Sequence, residues 1–145
     1  MEKQTYNSSS RFISVTERLL VSKLQEEFIN NNIEITVEQW KLLFYLWDND
    51  GVNQRDLSIR ANKEKSTIAR QIVDLEKKEL IVRESSEFDK RNKLIFITEK
   101  GKELEKETLK IANIITEKSE KNISEEDLNT VKRVLTQMIQ NLNNN

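Results

Sequence analysis

Apolar residues recur at helical spacing along most of this chain, and short polar stretches separate the helical segments. A first helix is predicted over about residues 10–30, with its apolar positions at Phe12, Leu19, Leu20, Leu24 and Phe28. A second helix begins after Thr36, because Gln39 three residues later completes a capping box. Its apolar stripe consists of Val37, Trp40, Leu43, Phe44 and Trp47.

Two more predicted helices follow, separated by a tight turn. The third covers about residues 53–61, with Asn53 as its N-cap and with Leu57 and Ile59 as its apolar contacts. The fourth covers about residues 63–78 and has an apolar face formed by Ile68, Ile72 and Leu75. Its opposite face is polar and consists of Lys63, Ser66, Thr67, Arg70, Gln71 and Asp74. This arrangement is typical of a helix-turn-helix.

After the fourth helix the pattern changes to that of two short strands, at about residues 80–83 and 94–98. The polar loop between them carries Lys90, Arg91 and Lys93, and a hairpin directly after a recognition helix is a wing. Two helices complete the chain. One is capped by Thr98 and runs to about residue 118, and the last starts after Ser124.

Composition excludes several kinds of site. The 145 residues include two glycines and no proline, cysteine or histidine. A disulfide or a thiol redox sensor therefore cannot form, and a zinc site would need carboxylates alone. We expect no cofactor and no enzymatic activity, because the chain has no nucleophile–base pair and no glycine-rich phosphate loop. No apolar run approaches the roughly 20 residues of a membrane span, and no apolar signal core is evident, so we expect a cytoplasmic protein.

Charge is distributed unevenly along the chain, although the formal net charge is only −1. Residues 51–98 carry 11 basic and 8 acidic side chains, whereas residues 1–50 carry 5 and 8 and residues 99–145 carry 8 and 9. A mildly basic centre between acidic flanks indicates a local binding face, which is a weak signal when taken alone.

Three segments, in order, resemble the MarR family of winged helix-turn-helix transcriptional regulators. They are TVEQWKLLFYL, NQRDLSIRANKEKSTIARQIVDLEKKELIVR and FDKRNKLIFITEKG. The resemblance implies a mainly α fold with a small β-hairpin wing, as a single domain over residues 1–145. Within it, a DNA-binding lobe covers about residues 36–101, and dimerisation helices cover about residues 10–30 and 102–142.

The terminal helices carry apolar stripes that a single small lobe would leave exposed, and the resemblance likewise implies a homodimer. The chain departs from the family pattern at Glu79. The family usually has glycine there, closing the recognition helix in a left-handed turn that glutamate tolerates poorly. We therefore expect this helix end to be shaped differently.

By the same resemblance, the expected contacts to double-stranded DNA are Lys63, Lys65, Ser66, Thr67, Arg70, Gln71, Lys90, Arg91 and Lys93. Arg70 and Gln71 suit base edges, and Arg91 suits the minor groove. Asp89 is expected to orient the wing by holding a basic group, and its alternative is a simple turn-forming aspartate. Arg83, on the strand into the wing, is a candidate for a structural ion pair.

Trp40, Phe44 and Trp47 are candidates for a ligand pocket, since resembled proteins bind small aromatic or anionic molecules between the lobe and the dimerisation helices. Plain core packing is the alternative for each of them. The predicted function is that of a dimeric repressor of a pseudo-palindromic operator, released by such a ligand. Two alternatives stay open: a regulator that activates, and a winged helix that contacts protein and has lost DNA binding.

Overall fold

The computed structural model describes residues 7–89 and 91–144, which form six helices and three short strands. In chain order these are α1 (Ser9–Asn30), α2 (Val37–Asp48), β1 (Val52–Asn53), α3 (Gln54–Ala61), α4 (Lys65–Lys77), β2 (Ile81–Ser85), β3 (Lys93–Ile97), α5 (Glu99–Ser119) and α6 (Glu125–Asn143). The strands pair antiparallel in the order β1-β3-β2. The predicted fold class is confirmed. None of the helices within these ranges combines the length and the apolar character needed to cross a bilayer.

Polar caps start the helices where the sequence predicts them. Thr36 Oγ1 accepts a hydrogen bond from Gln39 N at 3.1 Å, and Gln39 Oε1 accepts one from Thr36 N at 3.1 Å, so the capping box forms. The side chains of Asn53, Thr98 and Ser124 cap α3, α5 and α6 in the same way.

The core lies where α2, α3 and α4 pack on the sheet, and one side of α1 and α5 closes it. Its largest fully buried side chains are Phe28, Leu43, Leu46, Leu57, Ile68, Ile72, Leu75, Ile81, Ile95 and Thr108. The apolar face of α4 is therefore buried as predicted. Helix α6 buries no residue within the single chain.

Three local predictions differ from the structure. Strand β1 was not predicted, because two residues are too few to display an alternating pattern; it pairs Val52 with Ile95. Ile59 is wrong as a core contact, since it is 66% exposed and α3 buries Leu57 and Ser58 instead. Lys63 lies in the turn before α4 rather than within the helix.

The expectation of an altered helix end at Glu79 is also wrong. Glu79 adopts a φ of +62°, Leu80 N donates to Leu75 O at 3.1 Å, and Glu79 N donates to Glu76 O at 3.0 Å. These two bonds form the Schellman motif that glycine usually closes. The described residues contain three other non-glycine positions with positive φ, and all three are asparagines, which tolerate this region better.

Neighbouring elements hold this left-handed turn in place. Thr98 Oγ1 donates to Glu79 O at 2.7 Å, and Lys100 Nζ donates to Lys78 O at 3.0 Å. A Cβ atom at Gly101 would collide with the Leu80 carbonyl oxygen and the Ile97 side chain, so only glycine lets α5 start this close to the junction. Tertiary contacts thus impose a backbone conformation that glutamate does not favour.

Replacing Glu79 with glycine should raise the free energy of unfolding by about 1 kcal/mol. Glycine removes a left-handed strain of roughly 1–2 kcal/mol, and its greater freedom in the unfolded chain cancels part of that gain. Urea denaturation at a fixed protein concentration measures the effect. Asn122→Gly, at a φ of +64°, is the matched control, and its free energy of unfolding should rise by less than that of Glu79→Gly. A loss of stability in Glu79→Gly would contradict the assignment of left-handed strain to Glu79.

Candidate nucleic-acid interface

Helix α4 exposes the N-terminal half of its polar face because its apolar face is buried in the lobe. Lys65, Ser66 and Arg70 are exposed, and Thr67 is half-buried. The residue before the helix, Glu64, makes no side-chain capping bond, so the first backbone N–H groups of α4 are not taken up by a cap. This end of the helix therefore offers hydrogen-bond donors to a polyanion.

Two of the predicted contact residues are less available than the sequence implied. Gln71 is half-buried, and its Oε1 is inaccessible to solvent and lacks a hydrogen-bond partner among the described residues. The acceptor end of that amide does not lie on the open face beside Arg70. Lys63 places its Nζ 3.7 Å from Glu38 Oε2, so an acidic side chain of α2 partly compensates its charge.

The wing is the β2–β3 hairpin, whose register pairs Arg83 with Ile95 and Ser85 with Lys93. At its tip, Asp89 Oδ1 accepts a hydrogen bond from Arg91 N at 2.9 Å. The carboxylate therefore forms the turn, which is the simpler of its two predicted roles, and it orients Arg91 through the backbone. Arg91 and Lys93 are exposed, whereas Lys90 lies outside the described residues.

A bidentate ion pair joins the wing to α4. Arg83 Nε lies 3.0 Å from Glu76 Oε2, and Arg83 Nη2 lies 3.1 Å from Glu76 Oε1. The structural ion pair predicted for Arg83 is confirmed. The hydrogen bonds from Arg83 lower the pKa of Glu76 below its ordinary value, and Glu76 raises the pKa of Arg83. Because both ends of the pair are fork-shaped, it restricts the angle between α4 and β2.

Asp74 serves a different purpose from the rest of the polar face of α4. Its carboxylate accepts one hydrogen bond from Gln39 Nε2 on α2 and lies 3.1 Å from Lys78 Nζ. Hydrogen bonds from Gln39 and Lys78 lower the pKa of Asp74. Sequence reasoning identified Gln39 only as a capping residue, because nothing in the local pattern signals a contact 35 residues away.

The three aromatic residues proposed for a ligand pocket pack against one another. Edge-to-face contacts join Phe28 to Trp40, Trp40 to Phe44, and Phe44 to Trp47, with ring centroids 5.9, 4.5 and 5.5 Å apart. Trp47 Nε1 donates to Gly101 O at 3.0 Å, so Trp47 links α2 to α5. The placement of Trp47 matches the core-packing alternative, whereas Phe44 contacts both tryptophans but is 37% exposed.

Trp40 alone of the three lines a cavity of about 250 Å³ between α1, α2 and α5. The other lining residues are Glu17, Leu20, Val21, Leu24, Val37, Lys41, Ala112, Ile115 and Thr116. Trp40 Nε1 is buried and has no hydrogen-bond partner among the described residues. A buried donor without a partner is costly.

The lobe that carries these features corresponds to a known sequence family. Residues 35–93 match the sequence model of the MarR family. Over these residues the chain is similar to the MarR family. It is 28% identical over 112 residues to the organic hydroperoxide resistance transcriptional regulator of Bacillus subtilis strain 168, and the match covers 77% of this chain and 75% of that protein.

Solved structures extend the MarR-family likeness to nearly the whole chain. A MarR transcriptional regulator from Methanosarcina mazei Go1 is 29% identical with a TM-score of 0.82, covering 91% of this chain and 94% of that one. A MarR family transcriptional regulator from Listeria monocytogenes, solved in complex with a 26mer DNA, is 28% identical with a TM-score of 0.83. That match covers 94% of this chain and 89% of the Listeria chain. The terminal helices therefore share the family fold as well as the lobe.

Proposed function

We propose that this protein is a homodimeric, sequence-specific DNA-binding regulator of the MarR type that inserts α4 into the major groove. The observation that carries the proposal is the exposure of Arg70 on α4 and of Arg91 on the wing, with the two elements joined by the Arg83–Glu76 pair. An α-helix fits the major groove, and its side chains there can distinguish all four base pairs. The DNA complex of the Listeria relative supports the same mode of binding.

Each exposed group suits a particular part of the duplex. The Arg70 guanidinium can donate two hydrogen bonds to a guanine edge, whereas Ser66 and Thr67 suit phosphates and thymine methyl groups. Arg91 suits a narrow minor groove, where the negative potential is concentrated. The lysines near the start of α4 are Lys63 and Lys65, and those of the wing are Lys90 and Lys93. These side chains would contact phosphates, so the affinity for DNA would depend on the salt concentration.

The exposed apolar side chains of α6 are proposed to pack against a second copy of the chain. Val131 and Leu142 lie on the apolar stripe of that helix and are 51% and 76% exposed, and Ile139 beside the stripe is 58% exposed. Phe12 and Leu19 on α1 and Ile114 on α5 are also more than half exposed. Burying such surface is worth about 25 cal/mol per Å². A twofold dimer would place two copies of α4 in successive major grooves, about 34 Å apart, on a pseudo-palindromic site.

A small molecule bound in the Trp40 cavity is the proposed regulator of this dimer. The cavity walls are mainly apolar, and a rotation of the Trp40 side chain would bring its buried, unpaired Nε1 to the cavity, so an aromatic molecule carrying a carboxylate or carbonyl would suit it. The cavity lies between α1 and the lobe, so a ligand there can favour a spacing of the two lobes that no longer fits DNA. On this basis the protein is proposed to be a repressor that its ligand releases.

Arg70→Ala and Arg91→Ala should each weaken DNA binding by about 1–3 kcal/mol, because each removes a charged donor from a groove. The measurement is fluorescence anisotropy with a duplex that the wild-type protein selects from a random-sequence pool. Lys106→Ala, at an exposed lysine of α5, is the control and should bind like the wild type. Wild-type affinity in both arginine variants would refute the assigned face. No salt-dependent binding to any duplex would favour the protein-contact alternative.

Ile139→Glu should convert the dimer to a monomer, because it places a carboxylate in the proposed interface. Sedimentation equilibrium measures the change in mass. Gln140→Glu adds the same charge one residue further along, about 100° around the helix, and should leave the dimer intact. A wild-type protein that is monomeric at micromolar concentration, or an Ile139→Glu variant that is still dimeric, would argue against this interface.

Trp40→Phe should weaken the binding of an aromatic acid such as benzoate about tenfold, because it keeps the ring packing but removes the indole donor. Isothermal titration calorimetry on the dimer provides the measurement. Trp47→Phe is the matched control, since Trp47 Nε1 already bonds to Gly101 O and does not line the cavity. Equal affinity in wild type and Trp40→Phe would exclude the indole as the ligand donor.

A further inference from the structure

Two glutamine side chains bond to the same short backbone segment, residues 35–37, and through it link α1 to the recognition helix α4. The first, Gln25 on α1, uses both ends of its amide to hold the segment that leads into α2. Its Oε1 accepts from Val37 N at 3.0 Å, and its Nε2 donates to Ile35 O at 3.3 Å. Gln25 thereby fixes the start of α2 against α1.

The second glutamine, Gln39, lies at the start of α2 and is only 4% exposed. Its Oε1 accepts from Thr36 N at 3.1 Å and from Lys78 Nζ at 3.1 Å. Its Nε2 donates to Asp74 Oδ2. Asp74 and Lys78 are themselves 3.1 Å apart, so this one amide is bonded to both members of an ion pair at the C-terminal end of α4.

Capping α2 does not account for this arrangement. A capping box needs only the acceptor of the Gln39 side chain, and the donor end is directed to Asp74 instead. If α4 rotated or slid along α2, the buried amide would lose its charged partners. Leaving such a group unsatisfied is unfavourable, particularly next to a charge. The low pKa of Asp74 agrees with a carboxylate that stays ionised in this environment.

The same hydrogen bonds begin at the wall of the cavity around Trp40. The Val37 side chain lines that cavity, while its backbone N–H is the group that Gln25 holds. Leu24, the neighbour of Gln25 on α1, also lines it. A displacement of the start of α2 at the cavity wall would therefore act on Gln39 and, through it, on α4.

We infer that Gln39 is a positioning residue for DNA recognition, and that Gln25 and Gln39 together form a relay that couples α1 and the cavity wall to the orientation of α4. The inference rests on the proposed DNA-binding function. It adds the internal contact that holds the recognition helix at the correct angle. In this relay the two neutral side chains regulate DNA binding through the orientation of α4.

A donor–acceptor exchange between Gln39 and Asp74 tests the α2–α4 arm of the relay. Gln39→Glu keeps an acceptor for Thr36 N and Lys78 but sets two carboxylates against each other. Asp74→Asn in the same chain restores a donor–acceptor pair with the two roles exchanged. The readout is the ratio of affinities for the selected duplex and for a scrambled duplex of equal length, because a general change in charge affects both alike.

Gln39→Glu should lower that ratio about tenfold, and the double variant should recover most of the loss. Asp74→Asn alone is the control for the removed charge and should change the ratio less than Gln39→Glu does. A wild-type ratio in Gln39→Glu, or a double variant no better than the worse single variant, would overturn the role of Gln39.

Amide hydrogen exchange of residues 74–80 in the protein without DNA provides a second readout that does not depend on the proposed function. Gln39→Glu should speed this exchange and the double variant should restore it. Gln25→Met, which removes both bonds from α1 without touching α4, should speed it as well, and circular dichroism checks that each variant is folded. Unchanged exchange in Gln25→Met would overturn the relay. A wild-type protein that binds no duplex would instead refute DNA binding, and these exchange results would still decide the relay.

Discussion

The architecture depends on the burial of one face of α4. Ile68, Ile72 and Leu75 are at most 1% exposed, so the helix can lie on the lobe in only one rotational setting. That setting directs Arg70 outward. Leu75 also accepts the hydrogen bond from Leu80 that closes the helix, and β2 begins directly afterwards. The same buried stripe therefore also determines the position of the wing, and the ion pair between Arg83 and Glu76 holds the wing against α4.

Local signals in the sequence were sufficient to predict most of this fold. Thr36, Asn53, Thr98 and Ser124 mark helix starts because each side chain satisfies a backbone N–H group that would otherwise lack a partner. The amphipathic pattern of α4 separated its buried face from its polar face. The segments that resemble the MarR family placed these elements in the right order, and the family match over residues 35–93 agrees with them.

The features that the sequence did not predict depend on contacts between distant parts of the chain. Glu79 was expected to disfavour a left-handed turn, but the bonds from Thr98 and the packing of Leu80 outweigh a penalty of roughly 1–2 kcal/mol. The partial burial of Gln71 and the bond between Gln39 and Asp74 likewise arise from helix packing. No local periodicity encodes them, because the partners are far apart in sequence.

Bulk charge contributes little to the proposed activity, since the whole chain has a formal net charge of −1. Binding must come from a small face that is correctly shaped, so the geometry of the complex is the most direct test. Hydroxyl-radical footprinting on the selected duplex should reveal two symmetric protected regions on one side of the DNA, about 34 Å apart, with wing protection in the flanking minor grooves. A single unsymmetrical protected region, or protection without major-groove contacts in methylation interference, would contradict a twofold dimer that reads DNA with α4.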